Sequence, residues 1–120
     1  MENPRILICD DEEGIRESLK LILSDHYDLV LTEDGPQCLD FLDKVKNLRL
    51  VLLDIKMPQI NGLEVLEHIK EKRPDLKVIV VTGYQSVEMA SEAIHLGASG
   101  YITKPFKSEE ILATVEKAIR

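Results

Sequence analysis

The stretch ILICDDEEGIRESLKLIL (6–23) contains the pattern that decides the fold. Its first four residues, ILIC (6–9), form a short apolar run that is mostly isoleucine and leucine, as in a buried strand. The acidic group DDEE (10–13) follows this run. After it, apolar residues recur at the spacing of one helix face: Ile15, Leu19, Ile22 and Leu23. A strand followed by an amphipathic helix is the repeating unit of parallel α/β sheets.

The same alternation continues along the rest of the chain. Four further apolar runs predict strands: YDLVLT (27–32), LVLL (50–53), VIVV (78–81) and GYIT (100–103). Helical spacing lies between and after them, over residues 38–45, 63–69, 87–96 and 111–119. The third of these four stretches is the weakest, because Ala90, Ala93 and Ile94 give it little bulk. Five strands alternating with five helices predict a doubly wound, five-stranded parallel sheet of the flavodoxin-like type, with strand order 2-1-3-4-5.

Local signals mark several helix ends. Asn61, with Glu64 three residues later, has the pattern of a capping box. Pro36 is expected at the first helical position of the second helix, and Gly97 is expected to end the fourth. Ser108 is predicted to cap the last helix.

The size and composition predict one globular domain over residues 1–120, since 44% of the residues are hydrophobic and 31% are charged. Acidic residues outnumber basic ones by 22 to 15, and the net charge of −7 argues against direct nucleic-acid binding by this domain. Two cysteines are too few for a disulfide framework. No apolar run approaches the ~20 residues that span a membrane, and the N-terminus lacks a signal-peptide pattern. A cytoplasmic location without membrane contact is expected.

Polar residues that could share one site follow the first, third, fourth and fifth predicted strands. In strand order, the residues that follow strands one, three, four and five are Asp10 with Asp11, Asp54, Thr82 with Gly83, and Lys104. Ligands of open parallel sheets bind beyond the carboxyl ends of the strands, so these side chains are expected to converge on one edge. Three close carboxylates repel one another, and a divalent cation relieves that repulsion. Oxygen ligands without Cys or His favour magnesium or calcium over zinc.

A structural role is the alternative for each of these residues taken alone. Asp11 is then a cap of the first helix, Thr82 a turn hydroxyl and Lys104 a solvated surface lysine. Asp54 directly follows four apolar residues, and a partly buried carboxylate costs free energy unless it is paired or bound. The position of Asp54 therefore favours a functional role over a purely structural one.

The chemistry that these residues favour is attack on phosphorus. A carboxylate beside a divalent ion and a lysine can act as the nucleophile, since both cations neutralise charge on the equatorial oxygens. The hydroxyl of Thr82 and the N–H of Gly83 can hold those oxygens afterwards. The chain has neither of the glycine-rich nucleotide motifs, G-x-G-x-x-G or G-x-x-x-x-G-K-[ST], and it lacks the G-x-S-x-G of serine hydrolases.

With these residues in place, the chain resembles the receiver (phosphoacceptor) domain of two-component response regulators. The resemblance covers essentially the whole chain. Five motifs carry it: Asp10-Asp11, Asp54-Ile-Lys-Met-Pro-x-x-x-Gly62, Thr82-Gly83, Tyr101, and Lys104-Pro105-Phe106. The family usually has a cis peptide bond in the lysine-proline pair of the last motif.

The resemblance implies that Asp54 accepts a phosphoryl group from a histidine of a sensor histidine kinase or a histidine phosphotransfer protein. It implies a Mg²⁺ ion bound directly by Asp11, Asp54 and the backbone carbonyl of Lys56, with Asp10 acting mostly through water. Lys104 is expected to pair first with Asp54 and then with the phosphoryl oxygens.

The resemblance also implies a switch. Thr82 moves to bond the phosphoryl group, and Tyr101 packs inward behind it. The surface of the fourth helix, fifth strand and fifth helix then controls an output domain or a partner, or forms a phosphorylation-dependent dimer. Parts of the chain are similar to receivers of nitrogen-regulator-type activators and parts to stand-alone phosphorelay receivers, so both remain open. Lys56 and Tyr84 stand at positions that tune phosphoryl lifetime in the family.

By this resemblance the domain is a signalling module rather than an enzyme, with only self-phosphorylation and slow autodephosphorylation. Two rival classes are weighed against it. Aspartyl-nucleophile phosphatases commonly carry a second acid two residues after the nucleophile, where this chain has Lys56. A flavodoxin-type flavin binder needs a hydroxyl-rich phosphate loop, where this chain has DDEEG (10–14), whose charge repels phosphate.

Overall fold

The computed structural model describes residues 3–57 and 60–120, and strands alternate with helices throughout them. The five strands are β1 (Arg5–Cys9), β2 (Asp28–Thr32), β3 (Leu48–Leu53), β4 (Lys77–Thr82) and β5 (Gly100–Thr103). The five helices are α1 (Glu13–Leu23), α2 (Gly35–Lys44), α3 (Gly62–Lys72), α4 (Val87–His95) and α5 (Ser108–Ile119). Each element lies where the apolar runs and the helical spacing predict it.

All neighbouring strands of the sheet are parallel, and their order is β2-β1-β3-β4-β5, which confirms the predicted topology. The last residue of β1, Cys9, is in register with Thr32 of β2 and Leu53 of β3. The residues that follow β1 and β3 therefore lie side by side at one edge. Thr82 at the end of β4 is likewise in register with Thr103 of β5.

Two apolar cores lie on opposite faces of the sheet, because side chains alternate along each strand. Leu7 and Cys9 belong to the core beneath α2 and α3, whereas Ile6 and Ile8 belong to the core beneath α1 and α5. Helix α4 is the least anchored, as its sequence predicts. Ala93 is its one fully buried residue, and the side chain of Val87 is 79% exposed.

Most of the predicted helix ends are confirmed. The side chain of Asn61 accepts a hydrogen bond from the N–H of Leu63 and so caps α3, but the return bond of Glu64 that completes a capping box is not formed among the described residues. Pro36 is the second residue of α2, one position later than predicted. Gly97 follows α4 with a φ of +109°, in the left-handed region that favours glycine. The prediction that Ser108 caps α5 is wrong. Ser108 is already helical, and the capping position is held by Lys107, whose side chain forms no cap bond.

No helix in the described part of the chain combines the length and the apolar character that crossing a membrane requires.

Candidate functional site

Asp10 and Asp54 lie next to each other at the carboxyl edge of the sheet, as predicted. The N–H of Asp54 donates to the carbonyl of Cys9 (2.9 Å), so the chain after β3 stays paired to the end of β1. The N–H of Asp10 donates to the carbonyl of Thr32 (3.1 Å). Both carboxylates are buried. Buried charges of this kind need partners to offset their desolvation.

Lys104 is the partner of both carboxylates. Its Nζ lies 2.8 Å from Oδ2 of Asp10 and 2.9 Å from Oδ2 of Asp54. A third carboxylate oxygen, Oε1 of Glu12, lies 2.9 Å from the same Nζ. The side chain of Lys104 is only 10% exposed, so the alternative of a solvated surface lysine is wrong.

The electrostatics of this cluster shift two pKa values. Burial alone would lower the pKa of Lys104, but its contacts with Asp10, Asp54 and Glu12 outweigh burial and raise that pKa above its usual value. Burial raises the pKa of Asp10, and the nearby charge of Asp54 adds to the rise. The hydrogen bonds that Asp10 accepts from Lys104 and from the N–H of Glu12 offset only part of it.

Each buried carboxylate divides its two oxygens between the backbone and Lys104. Oδ1 of Asp10 accepts from the N–H of Glu12 (2.9 Å), and Oδ1 of Asp54 accepts from the N–H of Lys56 (2.8 Å). In both residues Oδ2 faces Nζ of Lys104. The two carboxylates are thus fixed from one side by their own loops and from the other by one ammonium.

Four carboxylates come together at this edge: Asp10, Asp11, Glu12 and Asp54. One oxygen from each lies within 4.8 Å of the others. The donors are all carboxylate oxygens, which suits a hard divalent cation such as Mg²⁺. Glu12 is absent from the predicted ligand set. The only signal for it is its place in the run DDEE (10–13), and a run does not show which acid turns toward the site.

Asp11 does not cap the first helix, so that alternative is wrong. The capping position of α1 is held by Glu12, and neither side chain caps the helix within the described residues. Asp11 is exposed beside the buried pair. The loop is held instead by Arg16, whose guanidinium donates to the carbonyl of Asp10 (2.8 Å).

Lys56 has two separate contacts in the structure. Its N–H binds Asp54, and its ammonium lies 5.5 Å from the centre of the Tyr84 ring, within cation–π range. The two positions that the resemblance assigns to phosphoryl lifetime therefore touch each other. An open cavity of about 390 Å³ lies beside them and is also lined by Asp11 and Met57.

Thr82 is the last residue of β4 and Tyr101 is the second residue of β5, and Tyr84 contacts both of these predicted switch residues. Thr82 is fully buried, and its hydroxyl lies 3.5 Å from the N–H of Tyr84. The hydroxyl of Tyr101 donates to the carbonyl of Tyr84 (2.9 Å). Burial raises the pKa of Tyr101, and the charge of Asp54 adds to the rise. Gly83 is exposed, with free space where a Cβ would stand.

The peptide bond between Lys104 and Pro105 is cis, as the resemblance implies. Of the motif that begins at Asp54, Pro58 and Gln59 lie outside the described residues.

The family model of the response regulator receiver domain matches residues 6–116 of this chain. The chain belongs to that family. As a receiver domain it is part of two-component signalling, in which phosphorylation-dependent switching is the general function of the family. The resemblance that the sequence motifs carry is thereby confirmed.

Curated relatives and solved structures agree with this assignment. The receiver domain is 38% identical over 119 residues to response regulator MprA of Mycobacterium sp. (strain KMS), which covers 97% of this chain and 50% of the relative. MprA of Mycobacterium avium (strain 104) is 38% identical over 117 residues, covering 97% of this chain and 51% of the relative. The chain thus spans about half the length of the curated relatives that it matches.

Three solved receiver structures share the fold. The BeF3-activated DrrB receiver domain superposes with a TM-score of 0.87 at 30% identity, covering 97% of both chains. The receiver domain of NtrX from Brucella abortus has a TM-score of 0.89 at 35% identity, covering 95% of this chain and 97% of that one. A CheY-like receiver domain from Methanospirillum hungatei JF-1 has a TM-score of 0.88 at 35% identity, covering 98% and 94%.

Proposed function

We propose that Asp54 is the phosphoacceptor of this receiver domain and takes its phosphoryl group from a phosphohistidine. The donor is a sensor histidine kinase or a histidine phosphotransfer protein. The observation that carries the proposal is the buried carboxylate of Asp54, which has its Oδ2 2.9 Å from the ammonium of Lys104 inside a cluster of four acids. A buried carboxylate that is paired with a lysine ammonium is pre-organised as a nucleophile toward phosphorus.

The transfer is a simple displacement. An oxygen of Asp54 attacks the phosphorus, the P–N bond to the donor imidazole breaks, and the imidazole leaves with the electron pair. The product is an acyl phosphate on Asp54. Lys104 neutralises charge on the phosphoryl oxygens during the transfer, while the N–H of Lys56 keeps the carboxylate oriented through Oδ1.

The acidic cluster fits Mg²⁺, and we assign its ligands as the family resemblance implies. Asp11, Asp54 and the backbone carbonyl of Lys56 would hold the ion directly, and Asp10 through water. When bound, Mg²⁺ neutralises charge on the transferring phosphoryl group. Asp11 is exposed, and its carboxylate forms no hydrogen bond with the described residues, which suits a ligand that adapts to the ion.

The switch that we propose runs from Thr82 and Gly83 to Tyr101. The hydroxyl of Thr82 and the N–H of Gly83 bind phosphoryl oxygens, and Tyr101 repacks behind Thr82. The responding surface comprises α4, β5 and α5, where α4 has few buried anchors and so shifts at low cost. That surface acts on an output domain, a target protein or a second receiver.

The chain is proposed to be a signalling domain over 1–120 whose only turnover is its own acyl phosphate. A cytoplasmic location, where a kinase can reach it, is part of the same proposal.

Chemical trapping of the phosphorylated residue tests the proposal. The protein is incubated with acetyl phosphate and Mg²⁺ and then digested, and the modified peptide is mapped by mass spectrometry. One phosphoryl group is expected, on the peptide that contains Asp54. It should be lost in hydroxylamine, which cleaves acyl phosphates but spares phosphoserine and phosphothreonine. A hydroxylamine-resistant phosphate, or one on another peptide, would contradict the proposal.

A further inference from the structure

We infer that the carboxylate of Glu12 occupies the place on Lys104 that a phosphoryl oxygen takes, and that Glu12 leaves when Asp54 is phosphorylated. The inference rests on the proposed function of Asp54 and goes beyond it, since Glu12 belongs neither to the phosphoacceptor nor to the proposed metal ligands. It makes Glu12 a residue that sets how readily the receiver is phosphorylated.

Lys104 can donate only a limited number of hydrogen bonds. An ammonium group has three N–H donors and no acceptor. Three carboxylate oxygens lie at 2.8–2.9 Å from Nζ, one each from Asp10, Glu12 and Asp54. Nζ donates hydrogen bonds to Glu12 and Asp54, and Asp10 forms an ion pair with it at 2.8 Å. Three carboxylate oxygens thus crowd one ammonium, and a phosphoryl oxygen that binds it competes with them for the same space and charge.

Of the three carboxylates on Lys104, Glu12 loses its contact most easily. Asp10 and Asp54 have side chains that are 3% and 2% exposed, and each is also held by a backbone N–H. The side chain of Glu12 is 60% exposed, and Lys104 is the one partner that its carboxylate has among the described residues. Water replaces the lost contact of Glu12 at once, whereas a buried carboxylate would be left without a partner.

The contact between Glu12 and Lys104 should slow phosphorylation of Asp54. Before transfer, Glu12 competes with the incoming phosphoryl oxygens for the same ammonium. Removing this competition should speed phosphorylation of Asp54 by a factor of about two to five, the range expected for loss of one exposed ion pair. Glu12 is thus a placeholder that the phosphoryl group displaces.

Three variants separate this contact from mere charge. Glu12→Gln removes the charge and weakens the contact. Glu12→Asp keeps the charge but is one methylene shorter, so its carboxylate falls short of Lys104. Glu13→Gln removes the next carboxylate along the chain, which is exposed in the first turn of α1 and lies outside the acidic cluster.

Rates of phosphorylation by acetyl phosphate with Mg²⁺, followed by intact mass, test the inference. Both Glu12 variants should react about two to five times faster than the wild type, and Glu13→Gln should match the wild type. Equal rates for Glu12→Gln and the wild type would overturn the inference. So would a faster Glu13→Gln together with an unchanged Glu12→Asp, because bulk charge would then explain the effect.

A second readout follows the carboxylate of Glu12 directly. The carbon-13 resonance of the Glu12 carboxyl should shift in the Mg²⁺-free Lys104→Met protein, where its partner is gone, and should shift the same way in the phosphorylated wild type. An unmoved resonance on phosphorylation overturns the inference while the proposed function stands. A wild type that takes up no phosphoryl group at all overturns both.

Discussion

The ammonium of Lys104 lies 2.9 Å from Oδ2 of Asp54, although the two residues are fifty positions apart in the chain. Parallel pairing brings them together, since Asp54 follows β3, Lys104 follows β5, and β4 lies between those strands. Both side chains are largely withdrawn from water. The ion pair of Asp54 and Lys104 is therefore also part of the buried interior of the fold.

Lys104→Met should destabilise the protein strongly in the absence of Mg²⁺, because it leaves Asp10 and Asp54 buried without their cation. Removal of one partner of a buried ion pair costs about 3–5 kcal/mol. The double variant Lys104→Met/Asp54→Asn should recover part of that loss. Urea denaturation in EDTA measures all of the proteins.

Lys72→Met is the matched control for this experiment. Lys72 pairs with Asp43 at the same 2.9 Å, but its side chain is 53% exposed. The expected loss is below about 1 kcal/mol, as for an exposed pair. Similar losses for the two lysine variants would show that the Lys104 cluster is solvated rather than buried.

Asp11→Ala should raise the melting temperature in EDTA and reduce the stabilisation that Mg²⁺ confers. Two charges about 4 Å apart repel by roughly 4 kcal/mol near a protein surface, and the variant removes part of such repulsion. Asp11 caps no helix, so no cap is lost with it. A saturating ligand at 100 times its dissociation constant stabilises a protein by about 2.7 kcal/mol, on the order of 10 °C for this size.

Asp28→Ala serves as the control for Asp11→Ala. Asp28 is an exposed acid that begins β2, at the opposite end of the sheet from the acidic cluster. Its removal should leave the response to Mg²⁺ unchanged. If wild-type melting is indifferent to Mg²⁺, or if Asp11→Ala melts lower in EDTA, the metal assignment of Asp11 is wrong.

Thr82→Ala should leave phosphorylation of Asp54 intact but weaken its effect on α4, β5 and α5. The hydroxyl of Thr82 is buried next to Tyr84, which in turn accepts a hydrogen bond from Tyr101. Amide chemical shifts before and after phosphorylation measure the response. Thr82→Ser keeps the hydroxyl and should restore it. Shift changes confined to α1, or equal in Thr82→Ala and wild type, would argue against this route.

Gly62→Ala should destabilise the loop that carries Asp54 and Lys56. A Cβ at position 62 would lie 2.1 Å from Cα of Ile55, so the backbone must move. Overpacking of this kind costs about 1–3 kcal/mol. Gly83→Ala is the control, since a Cβ there meets nothing within 4 Å and its effect should stay within about 0.5 kcal/mol. Urea denaturation distinguishes the two, and equal losses would contradict the packing argument.

The sequence predicts the sheet and its edge well, because the apolar runs are short, separate and followed by polar residues. Asp10, Asp54 and Lys104 could be placed together from strand order alone, since backbone pairing fixes their positions. Glu12 could not, because its contact depends on how a loop side chain turns. The same holds for Tyr84, because the contact of its carbonyl with the Tyr101 hydroxyl depends on how the loop after β4 packs against β5.

Among the helix ends, too, some could be predicted from the sequence and one could not. Asn61 and Gly97 were predictable because each acts on its own neighbours in the chain. The start of α5 was misplaced by one residue, since Lys107 and Ser108 are consecutive polar residues that can each precede the helix, and the sequence does not show which one is already helical.

The phosphorylation of Asp54→Asn tests the central claim most directly. The variant and the wild type are incubated with acetyl phosphate and Mg²⁺, and intact mass is recorded over time. The control, Asp75→Asn, changes an exposed aspartate between α3 and β4. We predict that the wild type and Asp75→Asn each take up one phosphoryl group and that Asp54→Asn takes up none, because an amide is no nucleophile here. Equal uptake by Asp54→Asn and the wild type would contradict the account.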